Sequence, residues 1–353
     1  MSTQVGQSRL TTATRPSGSG GRVSAVIAVT VPHGRGGAQK PDTQSVQSVT
    51  DSGVGRRAPT SVEARMSHRG DLHQRQGGLT VAFHGVRGST PCSCPTVRRY
   101  GGNTSCVSLE VPGADPFVFD LGTGLRPWGA TFGPGPHRIH AFVSHLHWDH
   151  VQGLPFFVPL HRADTRLDVY GPGHAGEPMG EAFARFMCPP FFPIEPDELA
   201  GTIVFHDVHH ETVEVADATV TVRPVPHTDT TNGYRVERAG RCVAYVSDHQ
   251  EPVGDPDHVD EGVLELCEGA DLLIHDAQFT PAELVDRADW GHCTARYAVE
   301  VARRAGVHHL VLFHHDPGRH DDALDVLCAE AAERGRRHGI VVSAAAEGLK
   351  ITL

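Results

Sequence analysis

Three imidazoles and a carboxylate crowd into six residues at His145-x-His147-x-Asp149-His150, within the stretch Val143-Ser144-His145-Leu146-His147-Trp148-Asp149-His150-Val151-Gln152-Gly153-Leu154. Neutral imidazole and carboxylate are ligands for zinc, and also for manganese or iron. Spacing carries the chemistry here. His145 and His147 stand two apart, so in an extended or tightly turned segment both rings converge on one cation. Asp149 and His150, on the following turn, are placed for a second cation beside the first. The chain holds 25 His in 353 residues, which makes a merely His-rich loop the competing reading. Four donors in six residues directly after a strand favour the metal.

That strand is the apolar run 139–143, and a short helix or turn is expected to start at 155–160. A two-metal centre needs more protein ligands than this stretch supplies. Each further one should be a His or Asp just after a strand, where a turn can aim it inward. His227 after 219–225, Asp248 after 242–246 and His314 after 309–313 meet that requirement. Asp248 is the natural bridging carboxylate, because its two oxygens can each hold one cation. His315 adjoins His314 and is the alternative to it. His206, His209, His210, His249 and His275 read as surface or packing residues.

The positioning elements follow from apolar periodicity and Gly or Pro punctuation. Further strands are expected at 79–84, 105–111, 116–120, 168–172, 201–205, 233–237, 270–276, and near 340 and 349. Helices are expected at 180–187, 260–267, 294–305 and 321–336. A β-rich first half and an alternating β/α second half suit two sheets sandwiched between helices. Asp120, ending one strand, is expected to order the His-rich loop, since carboxylates behind a metal site commonly orient ligating imidazoles. The Phe- and Pro-rich loop Cys188-Pro189-Pro190-Phe191-Phe192-Pro193 is either a hydrophobic lip over the site or plain packing.

Composition bounds the setting. Residues 1–77 hold 10 Lys and Arg against 4 Asp and Glu, so the rest is more acidic than the net −11 of the whole chain. An acidic globular part repels a long polyanion, which favours a small substrate over nucleic acid. The first 77 residues, rich in Ser, Thr, Gly and Gln, read as a disordered leader. A basic tail for an acidic partner, or a start at Met66, are the alternatives. No apolar run suits a membrane span, and the run 23–31 lies too far from Met1 for a signal peptide. Eight scattered Cys, of which only Cys92 and Cys94 lie close, fit reduced thiols and a cytoplasmic location.

The order His145-x-His147-x-Asp149-His150, His227, Asp248, His314 resembles the ligand order of the dinuclear metallo-β-lactamase fold hydrolases. The resemblance spans about residues 79–320 and implies an αββα sandwich, an α/β (α+β) hydrolase domain over 78–353. It implies two divalent ions, zinc first, with manganese or iron as alternatives. His145, His147 and His227 would hold one ion, and Asp149, His150 and His314 the other, with Asp248 between them.

Gly85-Val86-Arg87-Gly88-Ser89-Thr90-Pro91 and Gly102-Asn103-Thr104-Ser105 resemble the amino-terminal signature of the phosphodiesterase branch. That branch includes the tRNA 3′-processing ribonuclease Z and the phosphoribosyl cyclic phosphate phosphodiesterases. Gly291-His292-Cys293-Thr294-Ala295 resembles its Gly-His-Ser-Thr-Ala motif, with Cys293 in the Ser position. Asp276 stands where ribonuclease Z typically has Glu, and His315-Asp316 departs from the Phe-Ser that follows the last His there.

The implied function is a phosphodiesterase of a small or cyclic phosphodiester. Two cations about 3.5–4 Å apart acidify a bridging water to hydroxide and stabilise an in-line displacement. Asp149 and His292 are the expected catalytic residues, His292 donating a proton to the leaving oxygen or holding the phosphate. Arg87 is the candidate phosphate anchor and Asn103 a further substrate contact. An RNA 3′-end nuclease of the same branch is the alternative, although no Lys/Arg- and Gly-rich clamping arm interrupts the expected domain. A lactam or thioester hydrolase ranks lower, because the Gly-His-Cys-Thr-Ala segment points to phosphate chemistry. A homodimer is the state the branch implies.

Overall fold

The computed structural model describes residues 78–255 and 257–353; the expected leader at 1–77 lies outside the described residues. The chain first lays down β1 (Thr80–Gly85), β2 (Cys106–Glu110), β3 (Phe117–Phe119), β4 (His137–Phe142), β5 (Thr165–Gly171) and β6 (Thr202–Asp207). It then builds β7 (Glu211–Val215), β8 (Ala218–Pro224), β9 (Asn232–Arg238), β10 (Arg241–Val246), β11 (Leu272–Asp276), β12 (His309–Phe313) and β13 (Val341–Ala344). The last strand, β14 (Lys350–Thr352), returns to the edge of the first sheet beside β1. The sheet orders are β14-β1-β2-β3-β4-β5-β6 and β13-β12-β11-β10-β9-β8-β7.

Apolar residues on opposite faces of each strand explain the layering. In β4, Phe142 faces the second sheet, where it packs with Phe119, Tyr234 and Tyr245. Ile139, Ala141 and Val143 face the other way, onto α1 (Leu125–Gly129), α2 (Trp148–Val151) and α3 (Met179–Phe186) through Trp128, Val151 and Phe183. This is the period-two alternation of a strand buried on both faces. The inter-sheet core includes Phe119 stacked on Tyr245, centroids 4.5 Å apart and rings 3° from parallel. Behind the second sheet lie α4 (Glu261–Cys267), α6 (Ala295–Ala305) and α7 (Asp321–Arg336), packed on Ala244, Leu273, Leu310 and Leu312. The expected αββα sandwich is therefore observed. The hairpin strand β7 and the short helices α1 and α5 (Pro281–Leu284) were not anticipated from the apolar pattern.

Strand direction decides where a site can form. β3, β4, β5 and β6 run parallel. In the second sheet β8 and β10 flank the antiparallel β9, and β10, β11 and β12 are parallel. β8, β10, β11 and β12 thus point one way, and their carboxyl ends deliver loops to one edge of the sandwich. In open α/β sheets such carboxyl ends are where ligands bind.

Candidate metal centre

The loop after β4 carries His145 and His147, α2 directly behind it carries Asp149 and His150, and the loops after β8, β10 and β12 carry His227, Asp248 and His314. Donor atoms of His145, His147 and His227 lie within 4.8 Å of one another, as do those of Asp149, His150 and His314. A third group, His145, His150 and Asp248, joins the two. All seven residues expected from their strand ends are thus brought together. His315 turns away: its Nε2 lies 2.9 Å from the Ala345 carbonyl, whereas His314 Nε2 lies 3.0 Å from Asp149 Oδ2. Of the histidines set aside, His206 pairs with Asp168, His209 with Asn232, and His249 with His275.

Supporting contacts fix each ring. Asp120 accepts from Ser144 N at 2.7 Å, from the Tyr245 hydroxyl at 2.6 Å and from His150 Nδ1 at 2.7 Å. His145 Nδ1 meets Ser144 Oγ at 3.0 Å, and His227 Nδ1 donates to the Gly291 carbonyl at 2.7 Å. Each contact occupies Nδ1 and leaves Nε2 for another partner, the usual way a protein orients a ligating imidazole. Two glycines give the rings room. A Cβ on Gly88 would sit 2.3 Å from the His314 ring, and one on Gly291, at φ +86°, would sit 2.4 Å from His227 Nδ1. His314 itself has φ +55°.

The donor set fits divalent cations. His145 Nε2 is buried without a hydrogen-bond partner, which is costly unless something else satisfies it. His150 Nε2 and Asp248 Oδ2 make no hydrogen bond and are left with ion-pair contacts, 3.3 Å from each other and 3.1 Å from His150 Nε2 to Asp149 Oδ2. Burial holds His145, His147 and His227 neutral by lowering their pKa, with the neighbouring histidines adding to the effect on His145 and His147; neutral imidazole is the ligating form. Burial opposes ionisation of Asp149, but His150 and His314 outweigh it and keep its pKa well below the usual carboxylate range. Asp149 and Asp248 in turn outweigh burial at His150 and His314 and push both upward. The carboxylates thus favour positive charge in the pocket, which protonated His150 and His314 supply here and which a divalent cation would supply in their place.

His292 borders the same constellation, its ring 4.9 Å from His314 and 5.5 Å from His227. Its Nδ1 lies 2.9 Å from Asp276 Oδ2, at the end of β11, and 3.7 Å from Asp248 Oδ1. Thr294, two residues on, caps α6 by accepting from Tyr297 N. The Asp276–His292 pair is the contact that reading of the sequence missed. Its signal was an acidic residue ending a buried strand, but nothing in the spacing tied Asp276 to His292.

Arg87 and Asn103 need correction. Arg87 is fully buried, and its guanidinium donates to the carbonyls of Gly101 (2.8 Å), Asp316 (3.1 Å) and Arg319 (2.8 Å). It knits three loops together instead of facing a phosphate. Asn103 donates from its backbone and its side-chain amide to Glu347, and its carbonyl accepts from Val86 and Arg87. Ser89, next along the Gly-rich turn, does reach the centre: its backbone N donates to Asp149 Oδ2 at 2.7 Å.

A family model described as the beta-lactamase superfamily domain matches residues 120–315. The chain is 30% identical over 281 residues to a ribonuclease Z of Methanothermobacter thermautotrophicus, covering 67% of this chain and 86% of that one. Its fold resembles a diphosphatase of the PhnP family, with TM-score 0.57 and 19% identity over 78% of this chain and 98% of the other. It also resembles the zinc-bound PqqB of Methylobacterium extorquens, with TM-score 0.55 and 17% identity over 78% of this chain and all of the other.

Proposed function

The chain belongs to the beta-lactamase superfamily and is a metal-dependent hydrolase of phosphodiester bonds, and from that premise we propose that its substrate is a small or cyclic phosphodiester, cleaved at a paired-metal site. The observation carrying this reading is the convergence of seven His and Asp donors, several buried without a hydrogen bond, beside the His292–Asp276 pair. His145, His147 and His227 would hold one divalent ion, Asp149, His150 and His314 the other, and Asp248 both. Zinc suits this imidazole-rich set, and it is the metal bound in PqqB. Bound there, paired cations supply an acidified water and neutralise charge on the phosphoryl oxygens.

The chain's own residues do the rest. The Ser89 backbone N and His314 hold the Asp149 carboxylate in place. Asp276 accepts from His292 Nδ1 and orients the ring, so that in its doubly protonated form the Nε2–H proton passes to the departing alkoxide oxygen while the Nδ1–H stays on the Asp276 carboxylate. The Gln278 and His249 backbone N–H groups donate to Asp276 and keep it aimed.

The ribonuclease Z relative favours a second reading, removal of a 3′ extension from RNA. Against it stands the acidic balance of the chain beyond its first 77 residues, which repels a polyanion. A cytoplasmic location is also proposed, supported by eight unpaired cysteines. Among the described residues no helix is long and apolar enough to cross a membrane.

The test is turnover of bis(p-nitrophenyl) phosphate, a 2′,3′-cyclic nucleotide and a 3′-extended tRNA by zinc-loaded protein, beside lactam and thioester substrates. Cleavage of the small diesters, abolished by chelation and lowered about 10²–10⁴-fold by His292→Ala, is expected. Exclusive cleavage of the tRNA selects the second reading, and cleavage of only the lactam or thioester defeats both.

A further inference from the structure

We propose that the apolar chamber beside the metal-ligand loop is the subsite for a flat aromatic ring carried by the substrate phosphate; this rests on the diester-hydrolase reading above. The loop alternates ligand and apolar residues: Leu146 lies between His145 and His147, and Trp148 between His147 and Asp149. Leu146 and Trp148 form one wall of an open cavity of about 490 Å3 also lined by Phe156, Phe186, Phe191 and Phe192. The chamber shares Leu146, Ala182 and Arg185 with an adjoining cleft that His147 lines, so a group seated in the chamber is one cleft away from a ligand of the centre.

Phe186 and Phe192 pack partly against the core behind the first sheet, but the other three rings do not. Trp148 is 71% exposed, Phe156 52% and Phe191 82%, a concentration of bare aromatic surface that marks an interaction site, and its concave, cavity-lining placement is that of a ligand site. Their arrangement suits a ring better than a chain. Phe156 meets Phe192 edge-on at 86° and Trp148 inclines to Phe186 at 52°, so a flat guest finds both faces and edges to pack against. The chamber also has a cationic border. Arg185 lines it and also lines an adjoining cleft bounded by His147, His174 and Asp229. The same guanidinium pairs with Glu177. An anion held on the His147 side thus lies next to an apolar slot of ring size, an arrangement that a phosphate ester of an aromatic alcohol or of a nucleoside matches.

The experiment is calorimetric titration of zinc-loaded full-length protein with methylphosphonate, cyclohexylphosphonate, phenylphosphonate and uridine 5′-monophosphate. Phenylphosphonate should bind about tenfold tighter than methylphosphonate, the scale of one buried aromatic contact, and severalfold tighter than cyclohexylphosphonate. Phe156→Ala and Phe191→Ala, both at exposed positions, should each erode that advantage. Whether phenylphosphonate or the nucleotide binds tighter tells an aryl ester from a nucleobase as the natural guest. Equal affinity for methyl and phenyl, equal affinity for cyclohexyl and phenyl, or an advantage that survives both variants overturns the subsite. Ring-selective binding by protein that cleaves no diester would defeat the activity reading and leave the subsite standing; diester cleavage without ring selectivity would do the reverse.

Discussion

At the scale of single residues, the site is a set of rings whose one free nitrogen is chosen by what holds the other. Asp120 does this for His150, Gly291 for His227 and Asp276 for His292. The donors were legible because His227, Asp248 and His314 each follow a strand with a clear apolar run, and the other four crowd into six residues after β4. Arg87 was misread because a cation in a Gly-rich turn suggests an anion site, whereas here three backbone carbonyls take up its Nε and Nη1 donors and Asp321 lies 3.7 Å from Nη2. That choice depends on loops more than 200 residues apart in sequence, and no local pattern encodes it. Asp276 positions His292, so Asp276→Asn should lower kcat on a chromogenic diester about 10–100-fold with KM little changed. Asp276→Glu, which keeps the acceptor, should recover part of the loss. A fall confined to KM would place Asp276 elsewhere in the cycle.

At the scale of elements, the strands that feed the site were the most readable part of the chain. β12 (His309–Phe313) and α7 (Asp321–Arg336) occupy the spans their apolar patterns dictate. β7 was missed because Glu211-Thr212-Val213-Glu214-Val215 is a mostly exposed edge strand, stabilised by pairing with β8 rather than by burial. The start of α6 couples structure to chemistry. Thr294 caps it, and both its N–H and its hydroxyl donate to Glu251, two residues after His292. Thr294→Ala should cost about 1–2 kcal/mol, read as a drop in the thermal midpoint, and should lower diester turnover with it. Thr294→Ser, which retains the hydroxyl, should restore both. An unchanged midpoint in the Ala variant would mean that the cap carries no such weight.

At the scale of the whole molecule, two sheets are held face to face by aromatic and branched side chains, and many histidines are buried with them. Two sheets between helices could be expected from the alternation of patterns, but the first sheet is completed by β14 crossing back to β1, which a strand-by-strand reading does not give. The buried histidines also make the fold sensitive to acid. Burial, partly offset by Glu110, lowers the pKa of His84 to about 4 from 6.5; its ring meets Ser108 and stacks on Trp128. Burial lowers His140 and His309 as well. An unfolded chain takes up these protons first as pH falls, so stability is full above about pH 6.5 and declines below it. For His84 the decline continues to about pH 4 and is on the order of 3 kcal/mol. Denaturant midpoints at pH 7.5 and 5 should therefore diverge, and by less in His84→Gln. Equal divergence in that variant would remove His84 from the effect.

Elemental analysis of purified protein, loaded with excess zinc and then desalted, tests the metal centre most directly. Two zinc ions per chain should be retained by the native protein, and one or none by Asp248→Asn. A native protein that retains no divalent ion, or an Asp248→Asn variant that keeps both with undiminished diester cleavage, would contradict the account.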